Sequence, residues 1–226
     1  MNYSWDFDIV SRSWDLLLLG LSNSIYLTGA SFVLGLPLGL ALALARLSHR
    51  KMLAGIASGY VDFFRATPSL VLLYWFYFSF PQILSVQIEP FTAALVTLTL
   101  LSAAFVAEVF RAGIASLDQG QWDGARAIGM NYRQTMQRVV LPQAIKRMIP
   151  IFLERAIELF KTSTIASVIA FPELLFVAQD LAARSYRSLE VYTVVALMFM
   201  ISLIVLSQIT RLIELRLARS GETTTS

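Results

Sequence analysis

The sequence predicts an all-α integral membrane protein with about five transmembrane helices, and three observations lead to this fold class. Of its 226 residues 57% are hydrophobic and only 15% are charged, whereas a soluble domain carries about 25% charged residues. Several stretches without a charged residue are long enough to cross the hydrocarbon layer, which takes about 20 residues of helix. The basic residues are concentrated between these stretches. The length predicts a single transmembrane domain, residues 1–226, with its core at about 14–217.

Four of the predicted helices contain stretches that carry no charged residue, such as Leu16 to Ala45 in the first and Val191 to Thr210 in the last. The fourth helix is the exception. Its region from Met148 to Pro172 is apolar but contains four charged residues, and we interpret it as a functionally polar span. The predicted helices lie at about 14–45, 58–80, 89–117, 140–171 and 188–215.

The positions of arginine and lysine predict the orientation, because these residues stay on the cytoplasmic side of a membrane. The segments after the first and third helices and the end of the last helix are rich in them, whereas the segment after the second helix has none. Arg184 and Arg187 after the fourth helix are a mild exception. An odd number of spans then places the N-terminus outside and the C-terminus in the cytoplasm. Met1 to Asp15 lacks the basic region of a cleavable signal peptide.

The first predicted span contains several glycines and a proline, namely Gly29, Gly35, Pro37 and Gly39. Small residues allow membrane helices to approach closely, so close helix packing is the favoured interpretation and a role in gating is the alternative.

Several kinds of chemistry have no residues to support them. The chain has no cysteine, and its one histidine, His49, lies in a basic segment. A solvated histidine is the simplest interpretation there, with metal binding or proton relay as the alternative, and no metal site is predicted. No G-x-x-x-x-G-K-[ST] phosphate loop occurs, so the chain has no nucleotide site of its own and is predicted not to be an enzyme. The motifs of serine hydrolases and zinc proteases are also absent.

The segment from 118 to 142 is too polar to span the membrane, but its apolar residues recur at helical spacing. It is expected to form short helices with one apolar face, on the cytoplasmic side. Gly129 lies in the middle of the pattern and predicts either a tight turn or the close approach of another backbone. Pro142 is expected to begin the next helix, because its missing N–H would be unpaired there.

This segment resembles the cytoplasmic motif of permeases of ATP-binding-cassette (ABC) importers, which is E-A-A, three residues, G, nine residues, I-x-L-P. Here the chain has Asp123-Gly124-Ala125, three residues, Gly129, nine residues and Val139-Val140-Leu141-Pro142. The spacing matches throughout. Asp123 and Gly124 depart from the pattern, which shortens the carboxylate side chain and lowers the local helix propensity.

Other segments resemble the polar amino acid branch of these permeases, which includes those for histidine, glutamine and glutamate. They follow the family's order over roughly residues 20 to 215. The matching segments are Phe64-Arg65-Ala66-Thr67-Pro68, Glu108-Val109-Phe110-Arg111-Ala112-Gly113-Ile114, Gly120-Gln121, Leu141-Pro142-Gln143-Ala144 and Leu159-Phe160-Lys161-Thr162-Ser163-Thr164.

The resemblance implies a type I importer of the bacterial inner membrane. Two permease subunits, identical or related, would pair, two ATPase subunits would bind ATP and Mg²⁺, and a periplasmic or lipid-anchored binding protein would deliver an amino acid. Lipid surrounds the spans, and no nucleic acid partner is implied. The polar segment would be the coupling helix that docks into the ATPase; the alternative is an amphipathic helix on anionic lipid. The residues implied in coupling are Asp123, Gly124, Ala125, Ile128, Gly129, Tyr132, Met136, Leu141 and Pro142.

Charged residues inside a span are costly unless they are paired or hydrated, so they are candidates for function. Glu154, Glu158 and Lys161 share one helix face, with Thr162 beside them. This set offers both signs of charge, as a zwitterionic amino acid requires, and could line its path. Pairing across a subunit interface and a hydrated position at the cytoplasmic end are the alternatives.

Further candidates for structural or gating roles lie near the predicted cytoplasmic ends of the second and third helices. Glu108 and Arg111 are three residues apart, and pairing between them is favoured. Arg65 is expected to pair with Asp62, and Pro68 to bend or begin the second helix. This structural or gating set comprises Arg65, Thr67, Pro68, Glu108 and Arg111.

Two other function classes fit the sequence less well. An ion-coupled secondary transporter often contains internal inverted repeats, and none is evident here. An intramembrane enzyme would need facing catalytic groups, whereas Glu154 and Glu158 lie on one helix.

Overall fold

The computed structural model describes residues 3–222, with side chains for residues 3–216, and this part of the chain is helical without strands. The ends of the predicted domain, 1–2 and 223–226, lie outside the described residues. We label the helices in chain order: α1 (Asp8–Arg12), α2 (Trp14–Arg46), α3 (Lys51–Ala66), α4 (Ser69–Leu84), α5 (Pro90–Ala115), α6 (Gln119–Ala127), α7 (Tyr132–Ile169), α8 (Leu174–Ser185) and α9 (Ser188–Glu222).

Within residues 3–222, three helices are long and apolar enough to cross a membrane, and they confirm the predicted all-α membrane fold. They are α2, α5 and the part of α9 from Ser188 to Arg216. Taken together, helices α7 and α8 are also long and apolar enough to cross a membrane, as one span that bends by 46° at the break between them. The predicted spans at 14–45, 89–117 and 188–215 therefore correspond to single helices.

The second predicted helix, 58–80, is wrong as one continuous element. The chain breaks at Thr67 and Pro68, between α3 and the shorter apolar α4. Proline lacks the N–H that a helix interior needs, and it pushes the preceding residue out of the helical region. Thr67 accordingly has an extended backbone, with φ −86° and ψ 132°.

The fourth predicted helix, 140–171, begins earlier and ends differently. Helix α7 starts at Tyr132, contains a π-helical turn from Met136 to Val140, and ends in a 3₁₀ segment from Ser163 to Ile169. Pro142 lies in the first turn of the α-helical part, Leu141–Thr162, as predicted, but this part continues directly from the π turn. Such π turns are frequent at functional sites. Helix α8, which follows the break, was not predicted.

Helices α2 and α5 pack closely through glycine, as the sequence indicated for Gly35 and Gly39. An ideal Cβ on Gly35 would lie 2.7 Å from Ser102 Oγ, and one on Gly39 would lie 2.5 Å from Val106 Cγ1. Gly29 differs, because a Cβ there would meet nothing within 4 Å. Close helix packing therefore explains two of the three glycines.

The contacts at the helix ends define two sides of the molecule. Arg46 at the end of α2 contacts Glu108 near the end of α5, so these two helices run in the same direction. At the other end, Asp6, just before α1 and α2, contacts Glu190 in the first turn of α9. Since the 33 residues of α2 extend about 50 Å, the N-terminal segment and α6 lie on opposite sides.

Candidate functional site

The segment from α6 to the start of α7, which we call the coupling segment, exposes apolar side chains beside its turn. Ile128 is 75% exposed and Tyr132 is 69% exposed, and the Tyr132 ring stacks on Trp122 at 5.8 Å. Ala125 is buried, and Met136 is half-buried in a cluster around Val140 and Met148. Of the predicted coupling residues, Ile128 and Tyr132 thus present the largest free surface, whereas Ala125 packs inside the chain.

Gly129 forms a tight turn, which is the first of the two interpretations of this residue. Its φ is +79°, and a Cβ there would meet nothing within 4 Å. The Gly129 N–H donates to Arg126 O, and the next N–H, of Met130, donates to Ala125 O, which closes the end of α6. Asn131 then caps α7 through a reciprocal pair of hydrogen bonds with Gln134.

The two departures from the family motif lie on the exposed side of α6. Asp123 is within 3.9 Å of Arg126, and a Cβ on Gly124 would meet nothing within 4 Å. Leu141 and Pro142, at the other end of the motif, are also exposed. Beside the segment, Arg147 Nη1 of α7 donates to Ser116 O at the end of α5 at 2.7 Å.

Three arginines from three helices surround Glu108, and we call this group the arginine cluster. Arg46 Nη1 lies 2.8 Å from Glu108 Oε2, Arg65 Nη1 lies 3.8 Å from it, and Arg111 Nε is 3.1 Å from both carboxylate oxygens. The predicted contact between Glu108 and Arg111 is present. Arg65 points to Glu108, and within the described residues no ion pair joins it to Asp62. Glu108 therefore ties α2, α3 and α5 together at one end.

Thr67 and Pro68 lie next to this cluster, at the break between α3 and α4. The Thr67 hydroxyl donates to Phe63 O at 2.8 Å and so closes the last turn of α3. Their position at the break agrees with the predicted bend.

A cavity of about 340 Å³ lies between α5 and α7 and is lined by charges of both signs. Glu158, Lys161 and Thr162 line it as predicted, whereas Glu154 is exposed elsewhere on α7. Arg155 donates a hydrogen bond to Glu158, and the Thr162 hydroxyl donates to the Glu158 backbone carbonyl at 2.9 Å. The cavity can thus offer both a carboxylate and cationic groups to a zwitterion.

Phe105 connects the cavity with the arginine cluster. Its ring lines the cavity, and the Arg65 and Arg155 guanidinium carbons lie 5.8 and 5.3 Å from its centroid. These distances are those of cation–π contacts.

Comparison with known proteins identifies the family. The family model of the binding-protein-dependent transport system inner membrane component matches residues 35–219. The chain belongs to this family. It is therefore a multi-pass permease component of the inner membrane, and the coupling segment is typical of such proteins.

The relatives of this permease are similar along nearly their whole length. It is 37% identical over 215 residues to the L-cystine transport system permease protein TcyB of Bacillus subtilis (strain 168), covering 94% of this chain and 92% of the relative. It is 35% identical over 212 residues to the arginine transport system permease protein ArtQ of the same organism, with 94% and 97% covered. A crystal structure of an amino acid ABC transporter with histidines matches with a TM-score of 0.91 at 34% identity, covering 95% of this chain and 100% of that one.

Arg155 and Phe105 of the cavity and Arg46 of the arginine cluster are among the site residues that were not predicted from the sequence. Arg155 is three residues before Glu158, a spacing at which helix neighbours meet, and this signal could have revealed the pair. Phe105 carried no such signal, because an aromatic residue in an apolar span is ordinarily lipid-facing or core.

Proposed function

We propose that this chain is the transmembrane subunit of an importer that moves amino acids from the periplasm to the cytoplasm. The observation that carries the proposal is the cavity between α5 and α7, where Arg155, Glu158 and Lys161 offer both signs of charge within one span. An amino acid has an ammonium and a carboxylate group, and a cavity of this charge pattern complements both. The named relatives, which transport arginine and cystine, support the same substrate class.

In the proposed assembly, residues 1–226 act as one permease domain that pairs with a second permease subunit. Two ATPase subunits bind ATP and Mg²⁺ and receive the coupling segments, while a binding protein delivers the substrate on the opposite side. Closure of the ATPases would move the coupling segments and reorient the helices around the cavity. The exposed Ile128 and Tyr132 beside the Gly129 turn are suited to such a docking contact.

The proposed orientation places the coupling segment in the cytoplasm and the N-terminus in the periplasm. Arg126, Arg133 and Arg138 lie in the coupling segment or just after it, and basic segments remain on the cytoplasmic side. The N-terminal segment lies at the other end of α2 and would face the periplasm.

One observation favours substrate contact in the cavity over the alternative roles for Glu158 and Lys161. Glu158 and Lys161 line a partly open cavity between α5 and α7, whereas residues that only paired across a subunit interface would need no such space. Glu154 lies outside the cavity and remains suited to an interface.

The charged cavity is tested by a pair of matched variants in the importer assembled with its ATPase and binding protein. Glu158→Gln removes the carboxylate at the cavity, and Glu154→Gln removes one outside it, four residues earlier on α7. Uptake of the amino acid into proteoliposomes should fall about tenfold or more with Glu158→Gln, because a charged hydrogen bond contributes about 1.5–3 kcal/mol. Glu154→Gln should stay near the parent rate.

Three results give the outcome. Both variants should still co-purify with the ATPase subunits. Unchanged uptake in Glu158→Gln would remove the substrate role of the cavity. Uptake driven by a proton gradient without ATP would instead favour a secondary transporter. A panel of amino acids tested on the co-purified binding protein would then identify the substrate.

A further inference from the structure

The N-terminal segment from Tyr3 to Phe7, which we call the aromatic segment, has two different faces. Tyr3, Trp5 and Phe7 alternate along an irregular, non-helical stretch of chain. Their rings form a ladder, with Tyr3 and Trp5 edge to face at 5.7 Å and Trp5 and Phe7 stacked at 5.6 Å. All three are about half exposed, and Trp5 is the most exposed at 57%.

Polar contacts hold the segment against the first turn of α9. Glu190 is fully buried, and it accepts hydrogen bonds from the Tyr3 hydroxyl and from the Asp6 N–H at 3.1 Å. Arg187 donates to Ser4 O at 3.0 Å and lies 3.9 Å from Asp6. The bond to Glu190 raises the pKa of Tyr3 above its usual value, so the phenol stays protonated and continues to donate.

These contacts fix the height of the ladder relative to the membrane. Glu190 belongs to the first turn of α9, which is a candidate span from Ser188 to Arg216. The other attachment is at α1, where Val10 is buried with Leu17 of α2, near the start of a second candidate span. The aromatic segment therefore lies where two spans begin, and its distance from the hydrocarbon is set by both.

Exposed hydrophobic residues lie near the starts of the two spans to which the ladder is attached. Trp14 and Leu16 on the first turn of α2 and Leu189 and Tyr192 on the first turn of α9 are exposed large hydrophobic residues. On helices that span a membrane, such residues face lipid. The ladder thus lies at the end of the molecule where these two apolar spans begin.

We propose that Tyr3, Trp5 and Phe7 form an interfacial anchor that lies among the lipid headgroups of the leaflet at the start of α2 and α9. Tryptophan and tyrosine are enriched at this level because they combine an apolar ring with a polar tip. The charged partner within the segment, Asp6, is directed to Arg187, so the ladder presents aromatic surface to the lipid. The anchor holds the aromatic segment at the membrane surface beside α9.

The absence of cysteine from the chain allows a direct depth measurement with spin labels. A nitroxide is placed at position 5 with Trp5→Cys, or at position 7 with Phe7→Cys, in the complete importer in nanodiscs of phosphatidylethanolamine and phosphatidylglycerol. The matched control is Asp8→Cys, because Asp8 is exposed and pairs only with the exposed Arg12 among the described side chains. Collision rates are measured with oxygen, which concentrates in lipid, and with a water-soluble nickel chelate.

At positions 5 and 7 oxygen should collide with the label more often than the nickel chelate does, and at position 8 the order should be reversed. Adding Arg187→Ala removes the contacts to Ser4 and Asp6 and the 3.5 Å contact to Glu190. It should increase label mobility at position 5 and shift its accessibility toward that of position 8.

Two results would overturn the anchor. One is nickel accessibility at positions 5 and 7 equal to that at position 8, which would place the ladder in water. The other is protection of position 5 from both reagents only when the binding protein is added, which would make the ladder a protein-docking surface. No change in mobility with Arg187→Ala would contradict the attachment that sets its height.

Discussion

Gly39 of α2 lies so close to Val106 of α5 that an ideal Cβ on Gly39 would come within 2.5 Å of Val106 Cγ1. The backbone oxygen of Ala103 would be 2.9 Å away, so a shift of the Val106 side chain alone does not make room. Gly39→Ala should therefore separate the two helices and lower stability by about 1–3 kcal/mol, the usual cost of overpacking. Thermal unfolding of the purified permease, followed by tryptophan fluorescence, measures this loss.

The matched control is Gly59→Ala in α3, where a Cβ would meet nothing within 4 Å. Alanine favours a helix over glycine by about 1 kcal/mol, so this variant should unfold at the parent temperature or above it. Equal unfolding temperatures for the two variants would contradict the close approach of α2 and α5.

The arginine cluster should depend strongly on its single carboxylate. Glu108→Gln leaves Arg46, Arg65 and Arg111 together without a counter-charge, and Glu108 is largely shielded from water. We expect a loss of about 2–3 kcal/mol of stability, between the costs of breaking surface and fully buried ion pairs. Thermal unfolding in detergent solution without guanidinium, measured at low and at high salt, gives the size of this loss.

Asp8→Asn is the control for the cluster, because the pair of Asp8 with Arg12 is almost fully exposed. Its stability should stay within about 0.5 kcal/mol of the parent. If Glu108→Gln were as mild as this control, the three contacts would not hold α2, α3 and α5 together.

Much of this architecture could be predicted from the sequence because it depends on local composition. The uncharged run from Leu16 to Ala45 predicted α2, and Gly129 predicted a tight turn as one of two interpretations, although the helix after this turn is the long α7 rather than a short one. Pro68 was expected to bend or begin the second helix, and the chain does break there. One continuous helix over 58–80 was nevertheless predicted, because hydropathy averages over the break. Local signals of this kind identify elements and turns well.

Contacts between distant segments could not be predicted in the same way. The meeting of Tyr3 with Glu190 joins positions 187 residues apart, and nothing in either neighbourhood indicates it. Arg65 was assigned to the nearer Asp62, yet the fold brings Glu108 to it from another helix. The composition of the cavity likewise follows from how α5 packs on α7.

The turn at Gly129 should be sensitive to the type of residue rather than to its size. At φ +79° alanine is strained by about 1–2 kcal/mol, whereas asparagine adopts this conformation more readily. Gly129→Ala should therefore reduce ATP-driven uptake more than Gly129→Asn does. Asparagine is larger than alanine, but its size should not matter, because the space around the turn is open. Uptake per ATP hydrolysed in the assembled importer measures the difference. The opposite order would mean that bulk against a docking partner, not backbone strain, determines the residue.

Phe105 should couple energetically to Arg155, whose guanidinium carbon lies 5.3 Å from the ring centroid. Phe105→Leu alone changes the volume of the side chain, and Arg155→Met alone also removes the bond to Glu158. A double-mutant cycle with these two substitutions subtracts both side effects and isolates the contact between the ring and the guanidinium group. Because the contact is only partly exposed to water, we expect a coupling free energy of about 0.5–1 kcal/mol in unfolding measurements. Additive effects of the two substitutions would show that the ring and the guanidinium are neighbours without mutual stabilisation, and Phe105 would then contribute to the cavity only by filling space.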